Sequence, residues 1–250
     1  MPQRSVWIGF DTRDVASYVV ARASIQRHLP PTVPIHGVVL DQLVSSGSYR
    51  RETRRVNGRL HDVISDAPMS TQFAISRFFV PELVRRGPSH PEGRGWAMFC
   101  DSDVMCRRPL TELFEYVEQW PDKALFCVHH EHLVQEGEYK MNKQVQTNYA
   151  RKNWSSVMLF NCDHPANDKV DLKLLNSVPG RDLHRFCWLE DEQIGALHPS
   201  WNWLVGVHDQ DPRIEPAIAH FTLGSPCLDE YKDVPYADEW HAILGNWAEP

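Results

Sequence analysis

The sequence lacks several features that would place it quickly in a protein class. Its six cysteines form no CxxC pair and show no spacing typical of zinc ligands, and no apolar run is long enough to cross a membrane. The N-terminus has no long apolar segment of the kind that secretory signal peptides carry. A basic excess is also missing, because 26 Lys and Arg face 33 Asp and Glu, a formal net charge of −7. These absences argue against a zinc ribbon, a membrane-spanning protein and a protein that mainly binds the nucleic-acid backbone.

The cysteines and the composition indicate one domain in a reducing compartment. Several cysteines stand in apolar, strand-like runs, where a thiol packs as a small hydrophobic side chain. We therefore predict buried free thiols and a cytoplasmic location. With 42% hydrophobic residues over 250 positions, the chain can form one sizeable core. No repeat or linker divides it, so we predict a single domain over residues 1–250.

The order of apolar patterns predicts an α/β fold. Residues 5–11 (SVWIGFD) and 35–41 (IHGVVLD) are strand-like runs that end in an acid, and residues 15–29 between them have helical periodicity. This is a strand–helix–strand unit with parallel strands. Further strand-like and helical patterns alternate along the chain, which predicts a Rossmann-like mixed sheet flanked by helices. The later strands are predicted at 96–100, 124–128, 156–160 and 217–221, and the later helices at 71–83, 110–120 and 191–197.

Residues 44–70 are polar and basic and have no clear period, which predicts a long, irregular and mobile loop. Within this stretch, residues 49–59 (YRRETRRVNGR) hold five arginines. A lid or an acceptor-binding loop is one interpretation, and the arginines suit an anionic acceptor such as nucleic acid. A solvated basic loop is the simpler alternative.

Asp101 and Asp103 form the clearest chemical pattern in the sequence. They directly follow the apolar run 96–100, and residues i and i+2 of a strand point to the same face. The carboxyl ends of strands in open α/β sheets are where ligands bind. Two adjacent carboxylates repel each other unless a cation lies between them, and oxygen ligands favour Mg²⁺ or Mn²⁺. The pattern predicts a metal site on a diphosphate, with a solvated Asp-x-Asp turn as the alternative.

Other polar positions are candidates too, each with a structural alternative. His220 ends the last strand-like run and suits a third metal ligand, although a lone histidine is more often a satisfied structural residue. Gly224, just after it, would let the backbone approach a phosphate. Glu192 and Gln193 are either part of an acidic helix N-terminus or a pair that grips sugar hydroxyls. Arg77, isolated on an apolar helix, either pairs with a buried acid or reaches an anionic ligand.

Taken in order, these motifs resemble glycosyltransferase family 8 and its relatives with the type-A fold. The matching segments span most of the chain: the opening strand ending in Asp11, Ser76-Arg77-Phe78, Asp101-Ser102-Asp103, residues 155–161 (SSVMLFN), Glu192-Gln193, Trp201-Asn202, and residues 218–221 (IAHF) with Gly224. The sequence departs from the family pattern at residues 225–227 (SPC), where the family has a lysine that touches the donor diphosphate. Serines also replace the Asn and Gly of the middle motif, and Glu192 replaces an Asp.

The resemblance implies a single-domain, metal-dependent glycosyltransferase that moves a hexose-type sugar from a nucleoside-diphosphate sugar. A UDP-sugar donor and retention of anomeric configuration are the family expectations. The acceptor is left open as a glycan, a lipid, a protein or a modified nucleic acid. The implied roles are Mn²⁺ or Mg²⁺ ligation by Asp101, Asp103 and His220, donor binding by Asp11, Arg77, Asp101, Ser102 and Gly224, and catalytic positioning of the sugar by Glu192 and Gln193.

Two other classes of function remain. A metal-dependent nucleotidyltransferase or phosphohydrolase also needs clustered acids and Mg²⁺, but no glycine-rich loop follows the first predicted strand. A non-catalytic carbohydrate-binding protein would stack some of the nine tryptophans on sugars and would bind them without metal. Metal-dependent release of a nucleoside diphosphate separates the transferase from both.

Overall fold

A mixed six-stranded β-sheet lies at the centre of the molecule in the computed structural model, which describes residues 3–88, 93–130, 139–140, 144–145, 154–208 and 213–248. The strands of these segments are β1 (Arg4–Gly9), β2 (Ile35–Val38), β3 (Thr53–Val56), β4 (Arg59–Asp62), β5 (Ala67–Pro68), β6 (Trp96–Cys100), β7 (Val104–Cys106), β8 (Leu125–Cys127), β9 (Tyr139–Lys140), β10 (Gln144–Val145), β11 (Val157–Asn161), β12 (Ile194–Ala196), β13 (Trp203–Leu204) and β14 (Ile218–His220). The helices are α1 (Val15–Arg27), α2 (Leu40–Ser45), α3 (Val80–Arg86), α4 (Leu110–Val117), α5 (Leu172–Leu175), α6 (Gly180–His184) and α7 (Ala237–Ala248).

The central sheet has the strand order β12-β8-β11-β6-β1-β2. β2, β1 and β6 run parallel, β11 is antiparallel to both β6 and β8, and β12 is parallel to β8. This confirms the predicted mixed α/β fold and the opening strand–helix–strand unit. Ile8 of β1 lies opposite Cys100 of β6, so both strands deliver their carboxyl ends to one edge of the sheet, here called the site edge.

Packing on both faces makes this sheet a rigid base. β6 and β11 are buried along their whole length, which explains why WAMFC and VMLF read as continuous apolar runs. One face packs against α1 and α4, through side chains such as Ile25 and Phe114. The other face is covered by an aromatic cluster that includes Phe73, Phe78 and Phe186. The turn that follows β6 is therefore held by a buried strand.

A second sheet, of order β13-β14-β7, continues from the site edge. β7 follows the Asp-x-Asp motif, and β14 pairs with it in the antiparallel direction, with His220 opposite Val104. The pairing brings the C-terminal part of the chain to the residues that follow β6. α7, which the sequence patterns did not predict, packs its buried Trp240 into the cluster beside this sheet.

Residues 44–70 are not an irregular loop, so that prediction is wrong. Beyond the end of α2 they form the antiparallel sheet β3-β4-β5. Asn57 and Gly58 join β3 to β4 with φ angles of 50° and 77°, the two left-handed residues that a two-residue hairpin turn of type I′ requires. The Asn-Gly pair between TRRV and RLHD is a sequence signal for a hairpin. It was missed because the arginines around it obscure the alternating pattern of a strand.

A buried ion pair anchors this small sheet to the domain. The Arg51 guanidinium lies 2.6 Å from Asp62 Oδ2, and both side chains are almost fully excluded from solvent. Arg51 Nη1 also donates to the carbonyl oxygens of Leu175 and Val178, which lie at the end of α5 and just beyond it. One of the five predicted loop arginines is thus an internal structural residue.

Three smaller predictions also need correction. The helix predicted at 71–83 is a 3₁₀ helix (Ser76–Phe79) followed by α3, because Pro81 fits only the first turn of an α-helix. The helix predicted at 191–197 is one 3₁₀ turn (Asp191–Gln193) followed by β12. The second predicted strand stops at Val38, which puts Asp41 in the first turn of α2.

The six cysteines are all free, but only four are buried. Cys100, Cys106, Cys127 and Cys162 lie in the core, whereas Cys187 and Cys227 are exposed. The prediction of buried thiols is therefore correct for these four cysteines and wrong for Cys187 and Cys227. Among the helices of the described segments, none has the length and apolar composition needed to cross a membrane.

Replacing Arg51 by Ala should lower the free energy of unfolding by about 3–5 kcal/mol, because it leaves the Asp62 carboxylate buried without its charged partner. Urea unfolding at pH 7 measures this difference. Arg54→Ala is the matched control, since it breaks an exposed pair with Asp66 on the same sheet and should cost about 1 kcal/mol or less. Equal losses in the two variants would contradict the anchoring role of Arg51.

The stability that Asp62 contributes should depend on pH. Burial opposes its ionisation, but hydrogen bonds from Arg51 and Ser65 outweigh burial and hold the pKa of this carboxyl below its ordinary value. A carboxyl with a lowered folded-state pKa contributes stability above its unfolded pKa and loses it as the pH falls through the folded pKa. The difference in free energy of unfolding between the wild type and Asp62→Asn should therefore shrink below about pH 4. A constant difference from neutral to strongly acidic pH would contradict this.

Candidate metal centre and active site

The turn between β6 and β7 carries the two aspartates of the Asp-x-Asp motif. The Asp101 backbone N–H donates to the Ser156 carbonyl at 2.9 Å, and the Asp103 carbonyl accepts from the Phe221 N–H at 2.8 Å. These bonds fix the turn to the central sheet on one side and to β14 on the other. The two acids therefore lie close together as predicted, but on a turn held by backbone hydrogen bonds instead of along an extended strand.

His220 joins the aspartates through the pairing of β14 with β7. Its Nε2 lies 3.2 Å from Asp103 Oδ1, and its side chain is almost fully buried. One ligand atom from each of Asp101, Asp103 and His220 lies within 4.8 Å of the others. Two carboxylate oxygens and an imidazole nitrogen are donors that suit Mg²⁺ or Mn²⁺. The three residues therefore fit the divalent ion that the sequence predicted.

Arg77 supports the cluster from the side of the central sheet. Its Nη1 lies 2.8 Å from Asp101 Oδ1 and donates to the Ser155 carbonyl, also at 2.8 Å. The guanidinium carbon lies 5.3 Å from the ring centres of both Phe73 and Phe99, within cation–π range. Of the two interpretations of Arg77, the structure shows the pairing with an acid. This pairing offsets part of the repulsion between the two carboxylates.

Asn202 lies behind the cluster and is completely buried. Its Oδ1 is 2.9 Å from His220 Nδ1, while its Nδ2 is 2.8 Å from Ser156 Oγ and 3.0 Å from His130 Nε2. The sequence pointed to Asn202 only through the Trp-Asn resemblance, and nothing in the sequence singled out His130. A hydrogen bond to Nδ1 leaves Nε2 as the nitrogen that His220 presents to the aspartates.

Asp11 is held by the protein itself. It lies buried just beyond the end of β1, and its carboxylate accepts hydrogen bonds from the Arg13 backbone and guanidinium and from the Gln72 backbone. Burial opposes its ionisation, but these hydrogen bonds outweigh burial and hold the pKa of the Asp11 carboxyl below its ordinary value. The arrangement shows a structural role at the site edge, and a role in donor binding stays a prediction.

Gly224 has a packing reason to be glycine. It closes a turn in which its N–H donates to the Phe221 carbonyl at 3.0 Å. A Cβ added to Gly224 would lie 2.3 Å from ring atoms of Tyr231. The Tyr231 ring therefore occupies the space that a side chain at residue 224 would need, and a role of Gly224 in donor binding stays a prediction.

The structure does not bring Glu192 and Gln193 to the metal cluster. The Gln193 carbonyl accepts a hydrogen bond from the Ala124 backbone N–H, and the Ala124 carbonyl accepts one from the Asn161 backbone N–H. Asn161 in turn lies opposite the first residue of β6. Asp101 and Asp103 follow the last residue of β6, so they lie about 16 Å along the sheet from the first residue of that strand, at the usual rise per residue. The prediction that Glu192 and Gln193 hold the sugar at the metal is therefore corrected. Gln193 instead forms a capping box with Glu190.

A second histidine near the cluster was also missed. His184, the last residue of α6, has its Nδ1 2.7 Å from Ser155 Oγ, next to the carbonyl that accepts from Arg77. Its ring packs edge-on against Phe78. Neither residue spacing nor composition marks such a pair, because the two partners meet only after α6 packs on the sheet.

Comparison with known proteins places the chain in a family. No protein-family model matches it. Protein CDI of Arabidopsis thaliana is 37% identical over 239 residues, which cover 94% of this chain and 83% of that protein. The chain belongs to the Protein CDI family.

Solved structures show that this CDI-family chain has the type-A glycosyltransferase fold. The bifunctional glycosyltransferase WbbM superposes with a TM-score of 0.60 at 17% identity, covering 98% of this chain and 50% of its own. GlyE of Streptococcus pneumoniae TIGR4 superposes with a TM-score of 0.56 at 18% identity, covering 99% and 63%. The galactosyltransferase LgtC gives 0.54 at 14% identity, covering 97% and 95%. The CDI-family chain thus spans half of WbbM and less than two thirds of GlyE.

Gly224→Ala in this CDI-family protein should lower the free energy of unfolding by about 1–3 kcal/mol, because the new methyl group overlaps the Tyr231 ring. In a Tyr231→Ala background the same substitution should cost much less, since the ring is gone. Urea unfolding of both single variants and the double variant measures the coupling. Costs that simply add would show that another contact requires the glycine.

Proposed function

We propose that this protein is a metal-dependent glycosyltransferase that moves a hexose-type sugar from a nucleoside-diphosphate sugar to an acceptor hydroxyl. The observation that carries the proposal is the cluster of Asp101, Asp103 and His220 at the carboxyl edge of a type-A glycosyltransferase sheet. A UDP-sugar is the first donor to test, and retention of anomeric configuration is expected from the resemblance to glycosyltransferase family 8. The acceptor is a glycan, a lipid, a protein or a modified nucleic acid.

The residues of the cluster have separate roles in this proposal. Asp101, Asp103 and His220 would hold Mn²⁺ or Mg²⁺, whose positive charge would stabilise the leaving nucleotide. Asp103 and His220 present facing ligand atoms, and Asp101 adds the third. Arg77 pairs with Asp101 and orients its carboxylate from the opposite side. Because these groups are fixed by β6, β7 and β14, little reorganisation is needed when the leaving group becomes charged.

The other donor contacts follow from the position of the site edge. Ser102 lies buried between the two aspartates, and Asp11 and Gly224 belong to segments that reach the same edge. We assign these three residues and Arg77 to the walls of the donor site. Glu192 and Gln193 have no part in it, so a covalent intermediate on Glu192 is not proposed, and the acceptor hydroxyl attacks the sugar directly.

We also propose a cytoplasmic location, which the chemistry of the buried thiols supports. Burial raises the pKa of both Cys106 and Cys162 to about 12, so these thiols stay protonated and unreactive inside the core. Free cysteines in such number are typical of a reducing compartment.

A panel of nucleotide sugars tests the function. The purified protein is incubated with each donor and Mn²⁺, with and without EDTA, and free nucleoside diphosphate is measured. Release from one donor that EDTA abolishes supports the transferase and identifies the sugar. Release of pyrophosphate or inorganic phosphate would instead identify a nucleotidyltransferase or phosphohydrolase. Sugar binding without metal, together with no donor binding, would identify a carbohydrate-binding protein.

Asp103→Asn should reduce metal-dependent donor cleavage by roughly 100-fold or more, the scale on which single groups that stabilise developing charge act. The fold should be retained, because the Asp103 backbone contact to Phe221 remains. Glu192→Gln is the matched control, an acid-to-amide change at the opposite end of the sheet, and it should leave cleavage unchanged. Full activity of Asp103→Asn, or an equal loss in Glu192→Gln, would overturn the proposed site.

A further inference from the structure

The Asn202 amide contacts two histidines at once, and only one of these histidines belongs to the metal cluster. Oδ1 faces His220 Nδ1 at 2.9 Å, and Nδ2 faces His130 Nε2 at 3.0 Å and Ser156 Oγ at 2.8 Å. Asn202 has no exposed surface, and His130 and Ser156 are 8% and 4% exposed. Water therefore has little access to these contacts, and each polar atom depends on its protein partner.

The donor and acceptor atoms of the Asn202 amide determine which ring nitrogen of each histidine carries a proton. An amide oxygen only accepts and an amide nitrogen only donates, so His220 must carry a proton on Nδ1 and His130 must have a bare Nε2. A neutral imidazole has one ring proton. His220 then keeps the Nε2 lone pair, on the side that faces Asp103, and that is the form that ligates a metal ion.

The opposite orientation of the amide would reverse both histidines. Rotation by 180° would place Nδ2 against His220 Nδ1, so the ring proton of neutral His220 would move to Nε2 and remove the lone pair that ligates. The same rotation would place Oδ1 against His130 and favour a proton on His130 Nε2. One buried amide thus couples the tautomers of two histidines.

We infer that Asn202 is the positioning residue of the metal centre, which fixes the ligating tautomer of His220 and couples it to the tautomer of His130. The inference rests on the proposed metal site but not on turnover. Removing the partner of a metal-ligating histidine typically lowers metal affinity about 10–100-fold. We expect a loss of that size when residue 202 can no longer accept from Nδ1.

Two substitutions at position 202 separate its acceptor from its donor. Asn202→Leu removes both and should weaken Mn²⁺ binding about 10–100-fold, measured by electron paramagnetic resonance titration. Asn202→Asp keeps an oxygen that accepts from His220 Nδ1, so its Mn²⁺ affinity should equal or exceed that of the wild type. Asp also lacks the N–H donors, so only the contact with His130 and Ser156 should change.

Asn167→Leu is the matched control for loss of a buried amide. Asn167 is 1% exposed and bonds to the Ala124 and Asn161 carbonyls and to Trp188 at the other end of the sheet. It should destabilise the protein against urea without changing Mn²⁺ affinity. An unchanged affinity in Asn202→Leu, an equal loss in Asn167→Leu, or an affinity in Asn202→Asp as low as in Asn202→Leu would each overturn the inference.

Nitrogen-15 spectra of the histidine rings, recorded with diamagnetic Mg²⁺, test the proton positions directly and remain available through Asn202→Asp if the leucine variant does not fold. In the wild type, His220 and His130 should both be protonated on Nδ1. In Asn202→Asp, His220 should keep the Nδ1 proton while His130 gains one on Nε2. Protonation of His220 on Nε2 in the Mg²⁺-loaded wild type would overturn the inference. Mn²⁺ binding without donor cleavage would remove the proposed function alone.

Discussion

The pairing of β14 with β7 is the constraint on which the site depends. It places His220 opposite Val104, and the next backbone bond, from Phe221 to Asp103, closes the register at the motif itself. A slip by one residue would turn His220 to the other face of the sheet and leave two carboxylates without their third partner. The convergence of Asp101, Asp103 and His220 therefore depends on strand register, and α7 supports that register by covering the second sheet with Trp240.

Side chains outside the cluster form a charged pair with Asp101 and a hydrogen bond with His220. Arg77 approaches Asp101 from the sheet side, and Asn202 holds His220 from behind, so two of the three members of the cluster have a side-chain partner outside it. The partners are themselves fixed by buried neighbours, the rings of Phe73 and Phe99 for the guanidinium and Ser156 for the amide. Such support holds the three candidate ligands in place, which would lower the reorganisation that binding of an ion requires.

The sequence was most informative where local pattern and tertiary environment agree. Asp101 and Asp103 could be predicted because the buried strand before them has an unmistakable apolar run, and His220 because it ends another. The prediction for Glu192 and Gln193 was wrong for the opposite reason, since a short motif does not show which end of a sheet it occupies. These two residues directly precede β12, at the end of the sheet opposite the aspartates. His130 and His184 could not be predicted at all, because their partners are remote in the chain. The sheet of residues 53–68 could not be predicted because its strands show no clear apolar pattern and it is anchored by a buried ion pair.

The Arg51–Asp62 pair has a consequence for how members of this family can diverge. Arg51 connects the start of β3 to Asp62 at the end of β4 and to carbonyls 124 and 127 residues further along the chain. The turn at the tip of the hairpin, Asn57-Gly58, takes no part in those bonds, so changes of length or charge confined to it leave the anchor intact. Loss of either ionic partner, in contrast, is tolerable only together with the other. We therefore expect the hairpin tip to be a site of rapid evolutionary change on a base whose two charged residues appear or disappear as a pair.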